Sequence, residues 1–485
     1  MDRDEAYYEA HAQEVDLNTI TSSNDNRELL HMLRCNYSSQ DINVTNVYDP
    51  ETMDFVVREG DDFGWLGYFI GASPCLNSFT LAHLPEERDR TNALFEGFSR
   101  NRSIYALSIT TDLEDDNVDD LGIFLRNSKR LNDLHLQDVR IGVERARNLT
   151  LGSSSISSLH LDGCNLDDDG FAIFATSLSK QTLLRRLSLS SNSIGAPSCK
   201  TLGSMTRLFS YLDVLHLSNN NIDDAGLEAL VGGLANNKSL VSLHLSGNRS
   251  ITAVGLRSLS TLFSSKSCKL KNLNLNAMNI GDDGAVALAD ALVGNKSLKS
   301  LCFNNNTITS VGWSAFSRLL CDPSSINNTY LSNHTLRIIG DSPYDRWSDW
   351  DVRQYLGWNR GESHCSLPYN LRHPAIAPRP QISKIFYTHG DLDMEPFFQY
   401  KLKFLPVIVD WLQRSAAYLD DRENPNIECR QLAAMFKFIR SKPQLVFDGY
   451  WAHVLKEARE KKRKLQLELD VWDKTEKNAL KRVRH

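Results

Sequence analysis

The stretch Asp213–Leu243, DVLHLSNNNIDDAGLEALVGGLANNKSLVSL, decides the fold of this chain. An alternating apolar run at Leu215 and Leu217 leads through an Asn-rich turn into a segment with one apolar helical face, and the same alternating run then returns at Leu243. Leu215 and Leu243 lie 28 positions apart. A unit that recurs at a fixed spacing of roughly 20–50 residues indicates a repeat architecture.

The same pair of apolar positions recurs throughout residues 75–340. Successive pairs are separated by 28, 27, 25, 28, 28, 28, 30, 28 and 28 positions, which chance does not produce. The sequence therefore predicts about ten units, of which the first and last are degenerate. The pairs are Phe79/Leu81, Leu107/Ile109, Leu134/Leu136, Leu159/Leu161, Leu187/Leu189, Leu215/Leu217, Leu243/Leu245, Leu273/Leu275, Leu301/Phe303 and Thr329/Leu331.

Each unit contains a short strand and a helix. In the strand, alternate residues point to opposite faces, so the leucines point inward and the residues between them point outward. Parallel strands joined by helices need crossover connections, which are right-handed. The predicted fold class is α/β: a right-handed solenoid with a parallel sheet on its concave side and helices outside. Acidic pairs such as Asp223-Asp224 precede the helices, where they accept from free N–H groups and complement the helix dipole.

A polar residue follows the strand at the same place in several units. A side-chain amide both donates and accepts, so it can satisfy backbone groups where the chain turns inward. Cysteine is a common substitute at this place. These predicted structural turn positions are Cys164, Asn192, Asn220, Asn248 and Asn306.

The pattern LxxLxLxxNxIxDxGxxxLxxxL, seen in Leu215–Leu234 and Leu240–Asn248, resembles leucine-rich repeats of the ribonuclease-inhibitor type. That resemblance implies a horseshoe-shaped solenoid. The family includes the sensor ends of NOD-like receptors and the Ran GTPase-activating protein, so the motif is specific for the fold and not for the function. Two later stretches, Ser332–Gly340 and Asp393–Trp411, resemble algal proteins that carry such repeats, which implies no activity.

The flanking regions differ from the repeats in composition. Residues 1–48 are polar with weak periodicity, which predicts a disordered or loosely attached leader. Residues 49–74 are expected to cap the first repeat, with a short apolar helix at Phe63–Ile70. Residues 341–448 are interpreted as a connecting region followed by an α-helical cap. Residues 449–485 predict one long charged helix whose heptad spacing fits either packing on its own module or a coiled coil, hence possible self-association.

The charges are unevenly placed. The chain has 54 Lys+Arg and 60 Asp+Glu, of which 25 and 20 fall in residues 341–485, leaving 29 and 40 in residues 1–340. The first part is therefore −11 and the last part +5, which argues against nucleic acid binding by the repeats. The acidic start, the lack of an apolar run long enough to span a bilayer and nine scattered cysteines predict an intracellular protein without a membrane anchor. We expect a cytoplasmic location. The basic run Lys461–Lys464 leaves the nucleus possible.

No signature of catalysis or cofactor binding occurs. The sequence lacks GxxxxGK[ST], GxGxxG, HExxH and GxSxG, so we predict no enzyme activity, no cofactor, no metal and no catalytic residue. The acidic run Asp112–Asp120 lacks the spacing of a calcium loop and is better interpreted as a solvated helix start.

The candidate partner-binding residues lie on the concave face. Four histidines occupy the position between the two leucines of a strand. Ser188 interrupts this row, and Asn274, Cys302 and Tyr330 continue it; we call the whole row the histidine column. The simplest interpretation is a solvated row on a half-polar surface. A pH-sensitive or metal-binding strip is the alternative. The predicted site comprises His135, His160, Asp162, Arg186, Ser188, His216, Ser218, His244, Ser246, Asn274, Asn276 and Asn304.

The sequence favours a non-enzymatic scaffold or adaptor that binds a protein partner through this concave face and the strand-to-helix loops. The resemblance leaves two alternatives. One is an activator of a small GTPase like the Ran-activating family, although that family carries an acidic tail and the tail here is basic. The other is the sensor component of an NLR-like recognition system, acting with a separate signalling chain.

Overall fold

The computed structural model of the protein describes residues 5–36, 40–47, 54–84, 88–152, 156–340, 350–360 and 380–388. The chain divides into two compact units. The first comprises Met1–Leu320 and Asn333–Leu356, and the second comprises Cys321–Ser332 and Gly357–His485.

Twelve strands of the first unit form a single parallel sheet, in the order β2-β1-β3 and then β4 to β12 in sequence. Each strand from β3 onward therefore pairs with the next strand along the chain, as a solenoid requires. The strands are β1 Gln40–Thr45, β2 Asp54–Val56, β3 Leu76–Leu81, β4 Ala106–Ile109, β5 Asp133–Gln137, β6 Ser158–Asp162, β7 Arg186–Ser188, β8 Val214–His216, β9 Ser242–His244, β10 Asn272–Asn274, β11 Ser300–Cys302 and β12 Ile338–Ile339.

Helices alternate with the strands of the repeats. The helices in the described residues are α1 Glu5–His11, α2 Asn24–Cys35, α3 Phe63–Ala72, α4 Arg88–Phe98, α5 Asp115–Asn127, α6 Gly142–Asn148, α7 Asp168–Leu178, α8 Ala196–Met205, α9 Asp224–Leu234, α10 Ala253–Ser264, α11 Gly281–Ala291, α12 Ser310–Leu320, α13 Ile326–Leu331, α14 Trp350–Arg360 and α15 Pro380–Thr388.

The core is the leucine spine that the repeat pattern predicts. Leu215 and Leu217 of the β8 segment and Leu227 and Leu230 of α9 are fully buried. Burying one such side chain stabilises the fold by about 1.5–3 kcal/mol. The other strands from β3 to β11 also carry buried apolar residues at the two equivalent positions, so the free energy of folding is spread along the solenoid.

The two carboxylates of an acidic pair accept hydrogen bonds from two different units. Asp223 caps its own helix, because its Oδ1 accepts from the Gly226 N–H at 2.8 Å. The adjacent Asp224 instead reaches the next unit, where its Oδ1 accepts from the N–H groups of Thr252 at 2.7 Å and Gly255 at 3.0 Å. One carboxylate thus satisfies the start of its own helix and the other the start of the following helix.

The expectation of a loosely attached leader at residues 1–48 is wrong for the described part. β1 lies inside the sheet between β2 and β3, and α2 buries Leu29, Leu30 and Leu33. The Asn26 side chain donates to Val56 O at 2.9 Å and accepts from Val56 N at 3.0 Å. In the sequence QDINVT the buried residues Ile42 and Val44 alternate with polar residues, so the apolar strand signal is short.

The tenth apolar pair, Thr329/Leu331, is wrong as well. Both residues lie in α13, and Leu331 is 64% exposed. The strand that continues the sheet is β12, where Ile338 pairs with Ser300 and Ile339 with Leu301. Burial explains the difference, because Ile339 is buried in the sheet and can extend the spine.

The C-terminal predictions are only partly within the described residues. Helices α14 and α15 fall in the region interpreted as connecting. The α-helical cap predicted beyond residue 390, the long charged helix at residues 449–485 and the Lys461–Lys464 run lie outside the described residues.

Candidate partner-binding surface

The histidine column is brought together by the register of the sheet. His135 pairs with His160, His160 with Ser188, and Ser188 with His216 across adjacent strands. The series continues from His216 to His244, Asn274 and Cys302. Tyr330, which the repeat pattern places next, lies in α13 instead.

His135 and His160 form the first pair of rings. Their ring centroids are 5.3 Å apart with an interplanar angle of 55°. Ser158 Oγ lies 3.1 Å from His160 Nε2 and holds that ring in place. Partial burial lowers the pKa of His135, and the neighbouring His160 lowers it further, because both disfavour the charged form of His135.

Asp162 is the fixed acidic group beside this pair. Its Oδ1 accepts from the Ser188 hydroxyl and from Ser190 N at 2.8 Å, and its Oδ2 lies 3.8 Å from His160 Nδ1. Burial alone would raise the pKa of Asp162, but these hydrogen bonds and the nearby His160 outweigh it and lower the pKa. The Ser188 side chain, which bonds Asp162, is almost fully covered, whereas the repeat pattern predicted that it would be accessible.

His216 and His244 form a closer pair. Their rings stack with centroids 4.0 Å apart and an interplanar angle of 18°. Ser242 Oγ lies 2.9 Å from His244 Nε2. Burial lowers the pKa of both histidines, and with the additional effect of His216 the pKa of His244 falls to about 4. Both rings are consequently neutral at pH 7.

Beside the histidine column, the predicted site residues Ser218, Ser246, Asn276 and Asn304 occupy equivalent positions of successive units and form a second, polar row. The hydroxyls of Ser218 and Ser246 lie 2.9 Å apart. Asn276 Oδ1 accepts from Asn304 N at 2.7 Å, and Asn274 Oδ1 accepts from Asn276 N at 3.0 Å. All five side chains are partly exposed, so this row offers hydrogen-bonding atoms in fixed positions. Arg186, another residue of the predicted site, is exposed on the same face.

The turn positions form a hydrogen-bonded ladder beneath the surface. Asn220 Nδ2 donates to Leu189 O at 2.9 Å and Leu217 O at 3.2 Å, and its Oδ1 accepts from Ile194 N at 3.1 Å. Asn192, Asn248 and Asn306 make the equivalent bonds in their own units. The Cys164 thiol donates to Leu136 O at 3.3 Å, and burial raises its pKa to about 12.

A second ladder of asparagines was missed by the sequence interpretation. Asn237 Nδ2 donates to Thr206 O at 2.9 Å in the preceding unit, and its Oδ1 accepts from Ser239 N and Leu240 N at 2.9 and 2.8 Å. Asn101, Asn295 and Asn333 bond in the same way. The signal was the recurring Asn-x-Ser/Thr-Leu/Ile, which reads like a glycosylation sequon.

Within the described residues, no group of three or more histidine, cysteine, aspartate or glutamate side chains is placed to hold a metal ion. None of the described helices combines the length and apolar character needed to cross a membrane.

Comparisons with known proteins agree with this geometry. A family model described as "Leucine Rich repeat" matches residues 210–231, 236–260 and 266–289. The mouse (Mus musculus) protein "NACHT, LRR and PYD domains-containing protein 5" is 34% identical over 178 residues, which cover 36% of this chain and 15% of that protein. The pig (Sus scrofa) ribonuclease inhibitor is 26% identical over 258 residues, which cover 46% of this chain and 56% of the inhibitor.

Among solved structures, a chain of the yeast Rad7 and Elc1 complex is similar at 17% identity with a TM-score of 0.37, covering 72% of this chain and 82% of that chain. The match to the mouse protein covers less than a fifth of that relative, and the match to the inhibitor covers just over half. The family match and the strand register identify leucine-rich repeats in this chain, arranged as a solenoid with one parallel sheet, and the relatives show that these repeats are similar to those of the ribonuclease inhibitor.

Proposed function

We propose that this chain is a non-enzymatic scaffold or adaptor that binds a protein partner through the concave face of its repeats and the adjoining loops. The observation that supports the proposal is the histidine column. Seven successive strands, from β5 to β11, place it in register, and the leucines on either side are buried. Curved repeat arrays use such continuous surfaces for recognition.

The chemistry of the column suits contact with protein. Three of its histidines have a lowered pKa and are neutral at pH 7, so a partner can cover them without desolvating a charge. Ser158 and Ser242 hold two of the rings by hydrogen bonds, which reduces the entropy lost on binding. Both features favour a preformed interface.

Site-specific photo-crosslinking tests the proposal. A photoreactive amino acid at Ser246, on the concave face, is compared with one at Arg257, which is exposed on helix α10 of the same unit. In lysate of the source cells we expect discrete crosslinked proteins from position 246 and not from position 257. Equal labelling from the two positions would contradict a concave binding surface.

A sensor component of an NLR-like system is the second candidate, supported by the likeness to the mouse protein with NACHT and LRR in its name. Residues 1–485 contain no GxxxxGK[ST] motif, so the nucleotide switch of such a system would lie outside these residues. Crosslinked partners that contain such a domain would favour this candidate. GTPase activation rests on sequence resemblance alone, and measuring GTP hydrolysis by small GTPases with and without the protein tests it.

A cytoplasmic location, with the nucleus as the alternative, is part of the same proposal. The buried thiols of Cys164 and Cys199 have pKa values that burial raises to about 12, so they stay protonated and unreactive. Buried thiols of this kind suit a reducing compartment.

A further inference from the structure

Three large apolar side chains are exposed at the edge of the sheet where β7 and β8 begin. Leu183 is 48%, Leu208 49% and Tyr211 51% exposed. They lie in the two loops that lead from α7 into β7 and from α8 into β8. Asp213 N donates to Arg185 O at 2.8 Å, which places the ends of these loops side by side. We call Leu183, Leu208 and Tyr211 the Tyr211 patch.

The repeat itself does not require apolar residues at these positions. Leu183 and Tyr211 each precede the first inward leucine of their strand by four residues. The same position in other units is polar, at Ser103, Arg130, Ser239, Lys269 and Ser297. The position of Leu208 is also polar in the neighbouring units, at Lys180 and Asn236. Adjacent exposed apolar side chains that the fold does not need indicate an interaction surface.

An arginine lies against the ring of Tyr211. The Arg185 guanidinium carbon is 5.8 Å from the centre of that ring, and Arg185 Nη1 is 3.7 Å from Asp213 Oδ2. Tyrosine and arginine are enriched among the residues that dominate binding at protein interfaces. The strands β5 to β11 contribute neither of them to the histidine column. The Tyr211 patch therefore supplies a type of anchor that the column lacks.

The backbone of the loop between α8 and β8 is fixed by the next unit. Asn237 Nδ2 donates to Thr206 O at 2.9 Å and to Phe209 O at 3.4 Å. Phe209 and Leu212 of the same loop are fully buried. The exposed apolar side chains of this loop thus stand on an ordered backbone, which lowers the entropy cost of binding.

The loops around the patch are basic. Three consecutive helix-to-strand loops, residues 179–185, 206–213 and 235–241, contain four cations and a single carboxylate, Asp213. The cations are Lys180, Arg185, Arg207 and Lys238, and all four are exposed. An apolar centre with a basic border is complementary to a surface whose apolar side chains are bordered by carboxylates.

The backbone of the strands next to the patch is already paired. β7 bonds to β6 and β8, and β8 bonds to β7 and β9. A partner therefore cannot add a strand here and has to bind through side chains. A helix satisfies its own backbone hydrogen bonds and presents apolar residues at i, i+3, i+4 and i+7 to such a surface.

We propose that the Tyr211 patch binds an acidic amphipathic helix of a partner protein. The apolar face of the helix covers Leu183, Leu208 and Tyr211, and carboxylates beside that face meet the surrounding cations. An anionic membrane fits less well, because Asp213 lies within the patch and would be repelled by the head groups. Residues 341–485 of this chain carry a net charge of +5, from 25 Lys+Arg and 20 Asp+Glu, so they do not match the patch in charge.

This inference rests on the proposed scaffold function only in that the occupant is a protein, and it adds a second contact surface at the edge of the sheet. Loss of crosslinking at Ser246 would therefore leave the patch untouched, and failure of the patch would leave the concave surface untouched.

Fluorescence anisotropy with the full chain tests the patch. The probe is a labelled helical peptide with leucines on one face and glutamates on the other. Its two controls are a counterpart with lysines in place of the glutamates and a scrambled peptide of the same composition. The patch variant combines Leu183→Ser, Leu208→Ser and Tyr211→Ser. The matched variant combines Val254→Ser, Val293→Ser and Val311→Ser, at positions that are 63%, 71% and 61% exposed elsewhere on the surface.

A second pair of variants tests the basic border. The border variant combines Lys180→Gln, Arg207→Gln and Lys238→Gln. Its matched variant combines Lys200→Gln, Arg257→Gln and Arg318→Gln, which removes the same charge from exposed positions on the helices. This pair leaves the apolar side chains intact, so it tests the proposal even where the patch variant is unstable. Thermal melts of all four variants verify folding.

We expect the patch variant to bind the acidic helical peptide about tenfold more weakly than the wild type, and the border variant about threefold more weakly, with a smaller loss in the border variant at high salt. Both matched variants should bind as the wild type does. Wild-type binding weaker than about 1 mM, equal losses in the patch and matched variants, or tighter binding of the lysine or scrambled peptide would overturn the proposal. Patch-dependent binding of phosphatidylserine vesicles in preference to the peptide would also overturn it.

Discussion

The stacked rings of His216 and His244, with centroids 4.0 Å apart, join neighbouring repeats on the concave face. Each ring lies between two buried leucines of its strand, so the sheet register alone places them together. Stacking at this distance favours two neutral imidazoles, because charged rings would repel.

The first prediction concerns pH. The pKa of His244 is about 4 in the folded chain and about 6.5 when unfolded. Between these values the unfolded chain binds a proton that the folded chain does not, so stability is full above pH 6.5 and falls as the pH drops toward 4. Allowing for partial exposure, we expect a loss on the order of 1–2 kcal/mol. Urea unfolding across this range measures it, and His244→Asn should flatten the curve, whereas exposed His11→Asn should not.

The second prediction concerns the carboxylate that links two units. Asp224→Ala removes the acceptor for Thr252 N and Gly255 N, so we expect a loss of about 1–2 kcal/mol. Asp224→Asn keeps an oxygen acceptor and should lose less. Denaturant unfolding gives the values, with exposed Glu228→Ala on the same helix as the control. An Asn variant as unstable as the Ala variant would argue that charge, and not the cap, matters.

The third prediction uses two adjacent glycines of α9. A Cβ at Gly233 would lie 2.1 Å from Gly203 O in the neighbouring helix, whereas a Cβ at Gly232 would meet nothing within 4 Å. Gly233→Ala should therefore destabilise the chain by about 1–3 kcal/mol through overpacking. Gly232→Ala should stabilise it by about 0.5–1 kcal/mol. Melting temperatures that move in the same direction for both would contradict the close helix packing.

The fourth prediction compares two adjacent asparagines. Asn237→Ala leaves Thr206 O, Ser239 N and Leu240 N without their buried partner, at a cost of about 2–4 kcal/mol. Asn236 is exposed, so Asn236→Ala should cost less than about 0.5 kcal/mol. Chemical denaturation of both variants provides the comparison, and similar losses would mean that the second ladder does not stabilise the repeats.

Much of the fold could be predicted because each unit repeats one physical solution. The leucine spacing located nine strands, from Phe79 in β3 to Leu301 in β11. The spacing placed the tenth strand wrongly at Thr329, because spacing alone does not show which residues are buried. The motif Asn333-His-Thr-Leu336 matches Asn295-Lys-Ser-Leu298 and would have located β12 correctly.

The candidate surface was predictable in position and not in chemistry. Strand alternation placed His135, His160, His216 and His244 on one face. The contact of Ser188 with Asp162, which covers the serine, depends on side-chain torsions that a repeat pattern does not contain. The leader was missed for a related reason, because Asn26 holds it to Val56 through hydrogen bonds and not through an apolar pattern.

The most direct measurement uses the histidines as probes. Imidazole NMR signals of the protein are followed while a partner identified by crosslinking is added. If the partner binds the concave face, we expect the signals of His135, His160, His216 and His244 to shift or broaden. The signals of His11 and His31, which are exposed on the N-terminal helices, should not change. Shifts confined to His11 and His31, with the four concave signals unchanged, would contradict binding through the concave face.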